Sequence, residues 1–437
     1  MLKRVLKHPD LYRESQKNRN KDPGLVDQLM ELQKRRNTIQ YEYDMLAQMF
    51  NRLGKCFKTC LREQKPTPPE LIESVRNGEI DPTSLSKNQL VFLNKQIRTD
   101  QMAKKNMIGL VTEQMDGLVS GIGNLVDPSV PCSVDEDDSP IVKANEVPAP
   151  KVELVPHHEI CTRLKMVDTE TGIAVAGNRG YYLTGFGYLL SRAIMNYAVD
   201  FGLMNGYTPV SPPVVMTKEA LTGVCQLSEF EETLYSVGED KHLIATAEQP
   251  LTGMFKNRTV HRKDMPTRLL GISNCFRKET GRHGVDTRGI FRVHQFEKVE
   301  QFCITNPEDS AEELDRMVTI TSKFFSSLGL GFRVRRMVSG DLNLATRIKY
   351  DIEGLFQRSG EYKELASCSN CTDYFPLRLN CRFDDKDYPH MLNATLCPNT
   401  RLICCLLEQF QAKDGFHVPE VLIPYLPPGH PTIIPIP

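Results

Sequence analysis

Tryptophan is absent from all 437 residues, and that gap by itself carries no functional reading. Other absences exclude more. No run of about 18 apolar residues occurs, so no membrane-crossing helix is expected. No glycine-rich phosphate loop opens the first strand-like run, which leaves dinucleotide-binding and P-loop domains without support. The 13 cysteines are an odd number without disulfide-framework spacing, and they read as reduced thiols of a cytosolic protein. The N-terminus, MLKRVLKHPDLYRESQKNRN, is poor in apolar residues and has no small-residue cleavage site, so it is not a secretory signal. Asp10 and Glu14 also argue against an organelle presequence. Neither charge dominates: 54 Lys and Arg stand against 55 Asp and Glu. Any attraction to phosphate must therefore come from local patches. No internal repeat is visible.

What is present fits a soluble chain of two or three domains, with 40% hydrophobic and 25% charged residues. From residue 24 to about 65, Leu25, Leu29, Leu32, Ile39, Leu46, Phe50 and Leu53 recur at helical spacing. A polar, proline-containing stretch follows. A second helical run covers roughly 87–122, with Leu90, Leu93, Ile97, Met107, Leu110, Val111, Leu118 and Ile122. Two helices of about 40 residues each predict an antiparallel hairpin, projecting as a coiled coil rather than packed in a bundle. Residues 127–156 are rich in proline, carry the acidic run 135–138, and read as a linker. Beyond 157, strand-like runs (Arg268–Ser273, Gly289–Phe296, Phe332–Ser339) alternate with helical ones (Tyr188–Asp200, Ala311–Leu328).

The densest chemistry lies in FRKETGRHGVDTRGIFRVHQFEKVEQF, residues 276–302, read as strand, loop, strand. On strands, Arg277 and Glu279 would share a face, as would Arg292, His294, Phe296 and Glu300. Arg282, His283 and Arg288 would lie in the loop. Guanidinium groups fork onto phosphate oxygens and a ring stacks on a base, so the set suits a nucleotide. A surface hairpin of alternating charge is the other reading of the same residues.

This segment resembles motif 2 of class II aminoacyl-tRNA synthetases, in the form found in seryl-tRNA synthetases. GYTPVSPPVVM (206–216) resembles motif 1, with Pro212 at its central proline. LIATAEQP (243–250) resembles the Thr-x-Glu loop that binds serine. ELASCSNCTDY (364–374) and MLNATLCPNTRLICCLLEQFQ (391–411, motif 3) also match, and KDPGLVDQL (21–29) resembles the start of the family's arm. The blocks stand in the family's order over nearly the whole chain. Val285 departs from the family, which usually has a basic residue there, and Arg282 is offered nearby.

The resemblance implies an α+β fold: an antiparallel class II sheet flanked by helices, preceded by a long antiparallel helical coiled-coil arm. The implied domains are an arm at 1–126, a linker at 127–156 and a catalytic domain at 157–437. It implies a serine–tRNA ligase that uses ATP, with catalytic Arg277, Glu279 and Arg401. ATP-binding positions would be Arg277, Glu279, Arg292, Val293, His294, Gln295, Phe296, Glu364, Leu365, Ala366, Ser367 and Arg401. Glu364 and Ser367 would hold Mg²⁺. Thr246, Glu248, Arg277, Glu300, Asn393 and Thr395 would bind L-serine. Lys34, Arg36, Lys55 and Arg62 on the arm would hold serine tRNA, and charging of selenocysteine tRNA is left open. A cytoplasmic homodimer is implied, with tRNA and not DNA or a membrane as partner. Cys368-Ser-Asn-Cys371 lacks the second pair of a zinc site. Three other readings remain at this point: a non-catalytic paralogue, a ligase for another amino acid, and a coiled-coil scaffold.

Overall fold

The computed structural model describes residues 1–58, 65–68, 70–145, 153–225, 233–279 and 288–437. Arg62, Arg282, His283 and Val285 lie outside the described residues. The chain forms two compact units. One comprises Leu2–Arg13 and Asp22–Ile122; the other comprises Met1, Glu14–Lys21 and Gly123–Pro437.

The first unit is an antiparallel pair of long helices, α1 (Gly24–Cys56) and α2 (Lys87–Ser120). Ser86 and Gln89 start α2 with a reciprocal capping box, satisfying two backbone donors that the helix end leaves open. Val26, Leu29, Ile39, Leu46 and Leu53 face Leu90, Leu93, Ile97, Val111, Met115 and Val119 along a buried seam. Lys104 pairs across with Glu42 at 2.5 Å. The expected pattern needs one correction. Met107 and Leu110 are 37% and 61% exposed. The seam passes through Val111, and a residue one position back on a helix is turned about 100° away.

The second unit is built on one eight-stranded sheet. Its strands are β1 (Ile141–Ala144), β2 (Thr208–Val210), β3 (Thr267–Phe276), β4 (Gln295–Thr305), β5 (Phe332–Arg336), β6 (Ile348–Phe356), β7 (Glu361–Asn370) and β8 (His390–Pro398). They lie in the order β1-β5-β6-β7-β8-β4-β3-β2. All neighbours are antiparallel except β2 and β3, which run parallel. Two expectations change. The stretch read as a linker supplies the edge strand β1. The second strand of the 276–302 segment begins at Gln295, not Gly289, because the backbone turns from Gly289 to His294.

Beneath the sheet, α3 (Gly185–Met204), α5 (Ser310–Ser327) and α6 (Asn399–Gln409) cover the main core. Val299, Cys303, Ile352, Leu392, Ala394 and Leu396 point into it. The opposite face carries a smaller core. There Phe302 and Met391 meet Leu251 and Phe255, in and next to the short helix α4 (Glu248–Gly253). Alternation along β4 and β8 therefore sends Val299 and Ala394 down, and Lys298, Glu300, Asn393 and Thr395 up. No described helix is long and apolar enough to cross a membrane.

Residues 14–21 belong to this second unit. Arg19 is 1% exposed and has no carboxylate partner among the described residues. It donates instead to backbone carbonyls of Asn124, Leu342, Asn343 and Thr346. Burial pulls its pKa down to about 10.

Candidate active site

Strand pairing assembles one half of the site. Glu300 on β4 lies opposite Thr395 on β8, and Phe302 lies opposite Asn393. Glu300, 2% exposed, accepts from Thr246 Oγ1 at 3.1 Å through Oε2. The same oxygen pairs with the Lys298 ammonium. Lys298 also donates to Thr395 Oγ1 at 3.3 Å. Asn393 Nδ2 donates to Glu248 Oε1 at 2.8 Å and faces the Cys371 thiol at 3.7 Å. Thr246 and Glu248 stand at the entry to α4, where Gln249 Oε1 ties down the Ala245 backbone N–H at 2.9 Å. Every sequence-predicted serine residue except Arg277 is thus held in one small hydrogen-bonded cluster.

The other half is made of arginines, aromatic rings and two carboxylates. Arg277 follows β3 directly. Its Nε donates to the Ala245 carbonyl at 3.3 Å, and its guanidinium stands 5.4 Å from the Phe296 ring centroid. Glu279 does not share a strand with Arg277, because β3 ends at Phe276 and Glu279 has φ 51°. Its carboxylate accepts from Arg292 at 2.8 Å. Burial opposes ionisation of Glu279, but Arg292, Arg277 and Arg401 outweigh it and hold the pKa low. Arg401, in the first turn of α6, donates to the Glu364 carbonyl at 3.0 Å and to its Oε2 at 3.3 Å. It also stands 5.1 Å from the Phe291 centroid.

Glu364 and Ser367 are three residues apart, and on a regular strand they would face opposite sides. A bulge brings them to one face. Ile352 pairs with Ala366 and Glu353 with Glu364, so Leu365 is the extra residue and drops into the core. Enclosure in the cleft disfavours the Glu364 carboxylate. Arg401, Lys349 and Arg277 reverse that and hold its pKa below the ordinary carboxylate range.

The two halves meet at Arg277, Glu279 and Arg292. A cavity of 410 Å³ runs from these residues past Thr246 and Glu248 to Asn343 and Arg378. A smaller one of 70 Å³ runs from them past Phe296 and Thr395 to Glu364, Ser367 and Arg401. Five cationic side chains (Arg277, Arg292, Lys298, Arg378 and Arg401) and three carboxylates (Glu248, Glu279 and Glu364) therefore line one cleft. Among the described residues, two of these cations, Arg277 and Arg378, have no ion pair, and Arg378 donates instead to the Tyr374 hydroxyl at 2.6 Å. The arrangement suits two anions that must be brought together.

Models of protein families match in two blocks. Residues 231–410 match the tRNA synthetase class II core domain (G, H, P, S and T). Residues 2–99 match the seryl-tRNA synthetase N-terminal domain. The cytoplasmic serine–tRNA ligase of Schizosaccharomyces pombe is 38% identical over 98% of this chain and 94% of its own length. That of Arabidopsis thaliana is 38% identical over 98% and 93%. A crystal structure of the cytoplasmic serine–tRNA ligase of Naegleria fowleri, in complex with AMP, superposes with a TM-score of 0.89. It is 37% identical, and the match covers 98% of this chain and 96% of that one. A seryl-tRNA synthetase from Pyrococcus horikoshii complexed with ATP gives 0.87 at 29% identity, over 99% of each chain.

The chain belongs to the seryl-tRNA synthetase family.

Seen as a member of that family, the remaining candidates divide. Val293, Leu365 and Ala366 are buried in or beside the main core, so they offer backbone rather than side chains to the cleft. Gln295 is exposed and donates to Asn274 Oδ1 at 3.3 Å. His294 Nδ1 lies 2.9 Å from the Arg277 carbonyl, and the Arg277 N–H donates to the His294 carbonyl at 2.9 Å. The imidazole thus braces the two segments that carry Arg277 and Phe296. On the arm, Lys34 and Lys55 are exposed, while Arg36 donates to Thr112 Oγ1 at 3.2 Å. Cys368 and Cys371 are buried thiols, both pushed well above the ordinary range by burial. No described group of three or more His, Cys, Asp or Glu gathers around a common point.

Sequence reading missed Lys298, Phe291 and Arg378. Lys298 was within reach, because it shares strand parity with Phe296 and Glu300. Phe291 was not, because the turn that presents it was read as strand.

Proposed function

We propose that this chain is an ATP-dependent serine–tRNA ligase, with the cleft between β4, β7, β8 and α4 as its active site. The observation that carries the reading is the juxtaposition of two halves around Arg277. One is a closed cluster of hydroxyl, amide and carboxylate groups sized for a small polar amino acid. The other is an arginine-lined, ring-flanked cleft for a nucleotide.

Serine enters with its ammonium toward Glu248 and Thr246 and its hydroxyl toward Glu300 and Thr395, with Asn393 behind. Its carboxylate meets Arg277. ATP lies with its adenine against Phe296, capped by Arg401, and with Glu279 accepting from the amino group. Backbone at Val293 to Gln295 and at Leu365 and Ala366 lines the nucleotide, and Arg292 and Arg401 face the phosphates. A serine carboxylate oxygen bonds to the α-phosphorus as the bond to pyrophosphate breaks. The approach of two anions and the developing charge are offset by Arg277, which also sets the in-line geometry. The terminal ribose hydroxyl of tRNA then attacks the seryl carbonyl, and AMP leaves.

Glu364 and Ser367 fit a hard cation such as Mg²⁺. They offer an ionised carboxylate and a hydroxyl on one face, beside a cleft where phosphates would complete the shell. Bound there, Mg²⁺ would neutralise phosphate charge and orient the pyrophosphate. Lys34, Arg36 and Lys55, with Arg62, are proposed to meet tRNA phosphates by shape and charge. Selenocysteine tRNA is a further candidate substrate. The chain is proposed to act as a homodimer in the cytoplasm. Motif 1 would form the pairing interface, and the segment 174–185 is proposed to contribute to it; Ile173, Val175, Tyr182 and Tyr188 in and beside that segment are 44–69% exposed, and such a patch calls for a partner surface. None of the described cysteines forms a disulfide, and all but two are buried.

The test is ATP–pyrophosphate exchange by purified protein with Mg²⁺, comparing serine, threonine, alanine and no amino acid. Exchange with serine alone is expected. No exchange from folded protein with any of them removes the enzyme reading in favour of a non-catalytic paralogue.

A further inference from the structure

Lys298 has no part in the reading above, yet it touches two of the residues assigned to the serine hydroxyl. Its side chain is 7% exposed and sits on the cleft face of β4, between Phe296 and Glu300. It pairs with Glu300 and donates to Thr395 Oγ1 at 3.3 Å. A buried ammonium is costly to place there, and an apolar side chain would fill the same space without that cost. Its two partners explain what it does.

Among the described residues, the bonds that reach Glu300 share one oxygen. Lys298 Nζ and Thr246 Oγ1 both fall on Oε2. The carboxylate is therefore fixed in rotation beside an adjacent cation, and Oε1 is the oxygen left over as an acceptor. On the other side, Lys298 occupies a lone pair of Thr395 Oγ1. This fixes where that hydroxyl stands.

We propose that Lys298 is the positioning residue that gives the pocket its discrimination between serine and alanine. It pins Glu300 by Oε2 and Thr395 by Oγ1, and so presents Glu300 Oε1 to the substrate hydroxyl. The proposal rests on the placing of the serine hydroxyl at Glu300 and Thr395. The physics is that of an acceptor that cannot turn away. A substrate without a hydroxyl leaves it buried and unpaired, whereas an unpinned carboxylate can rotate to another donor and tolerate the loss.

The experiment compares wild type with K298M, which keeps length without charge, and K298Q, which keeps a donor without charge. kcat/KM is measured for serine and for alanine in ATP–pyrophosphate exchange, with melting curves and AMP binding to establish that each variant is folded. For K298M, serine kcat/KM should fall about thirtyfold or more while alanine changes less than about threefold, so the serine preference narrows at least about tenfold. ATP KM should not move. K298Q should narrow the preference by less. A parallel fall for both amino acids in a folded variant marks a merely structural lysine and overturns the proposal, as does an unchanged preference. If K298M does not fold, the ratio in K298Q decides by the same criterion. Wild-type protein without serine exchange fails earlier, and removes the reading on which the proposal rests.

Discussion

The two halves of the cleft are built in opposite ways. The half proposed to take serine is finished before any ligand arrives. Strand registers set Glu300 against Thr395 and Phe302 against Asn393, and protein donors already occupy one oxygen of Glu300. The nucleotide half is held together by its own opposite charges. Arg292 is parked on Glu279 and Arg401 on Glu364, pairs that a polyphosphate can exchange for stronger ones. Specificity for a small amino acid needs a rigid wall, because a methyl or a hydroxyl is all there is to read. Binding a large anion needs spare cationic groups, and temporary partners keep those groups in place until it comes.

Breaking the junction should have the largest effect. Arg277→Ala removes the cation proposed to meet both the serine carboxylate and the α-phosphate, and exchange activity should fall about a thousandfold or more with the fold intact. Residual activity above about a tenth of wild type would show that the halves work without it. Next comes the finished half. Glu300→Gln should lower serine kcat/KM about a hundredfold and leave ATP KM alone. It should also lower the melting temperature, because Lys298 loses its buried counter-charge. The converse change, Phe296→Ala, should raise ATP KM about tenfold and spare serine KM, as expected for one lost stacking face. If serine KM rose equally, the division between the halves would be wrong. Away from the cleft, Lys34→Ala or Lys55→Ala should raise tRNA KM about twofold, flatten the salt dependence of charging, and leave pyrophosphate exchange unmoved.

The smallest predicted effect is none. Glu279 and Glu364 have folded-state pKa values below the ordinary carboxylate range, held there by neighbouring arginines. A depressed carboxylate contributes fully above its unfolded pKa and is lost only as pH falls through the folded one. The affinity of E364Q relative to wild type for ATP with Mg²⁺, followed by calorimetry from pH 8 to pH 5.5, should therefore keep a constant ratio. A ratio that closes toward pH 5.5 would mean that Glu364 is protonated there.

Much of this was legible in the order of the residues. Period-two alternation correctly put Phe296 and Glu300 on one face of β4. The helical hairpin followed from leucine spacing, although Met107 and Leu110 misled because apolar character alone does not say which side of a helix is covered. The face shared by Glu364 and Ser367 was not legible from spacing. It depends on a bulge, which is a property of two strands read together. Nor was the turn at 289–294, where charged and apolar residues alternate as they would in a strand. The edge strand β1 hid in proline-rich sequence because an edge needs partners on one side only.

One feature bears on how the protein could be taken apart. Residues 14–21 are wired into the catalytic unit, where Arg19 grips the carbonyls around Asn343, and Gln16 Oε1 accepts from the Gly123 N–H at 3.0 Å. In chain topology the long helices are thus an insertion between Lys21 and Gly123, not a removable leader. A free-standing catalytic fragment would be made by excising that insertion and rejoining its ends. Cutting the chain once near residue 126 would discard the Arg19 brace on Asn343 and Thr346 along with the helices.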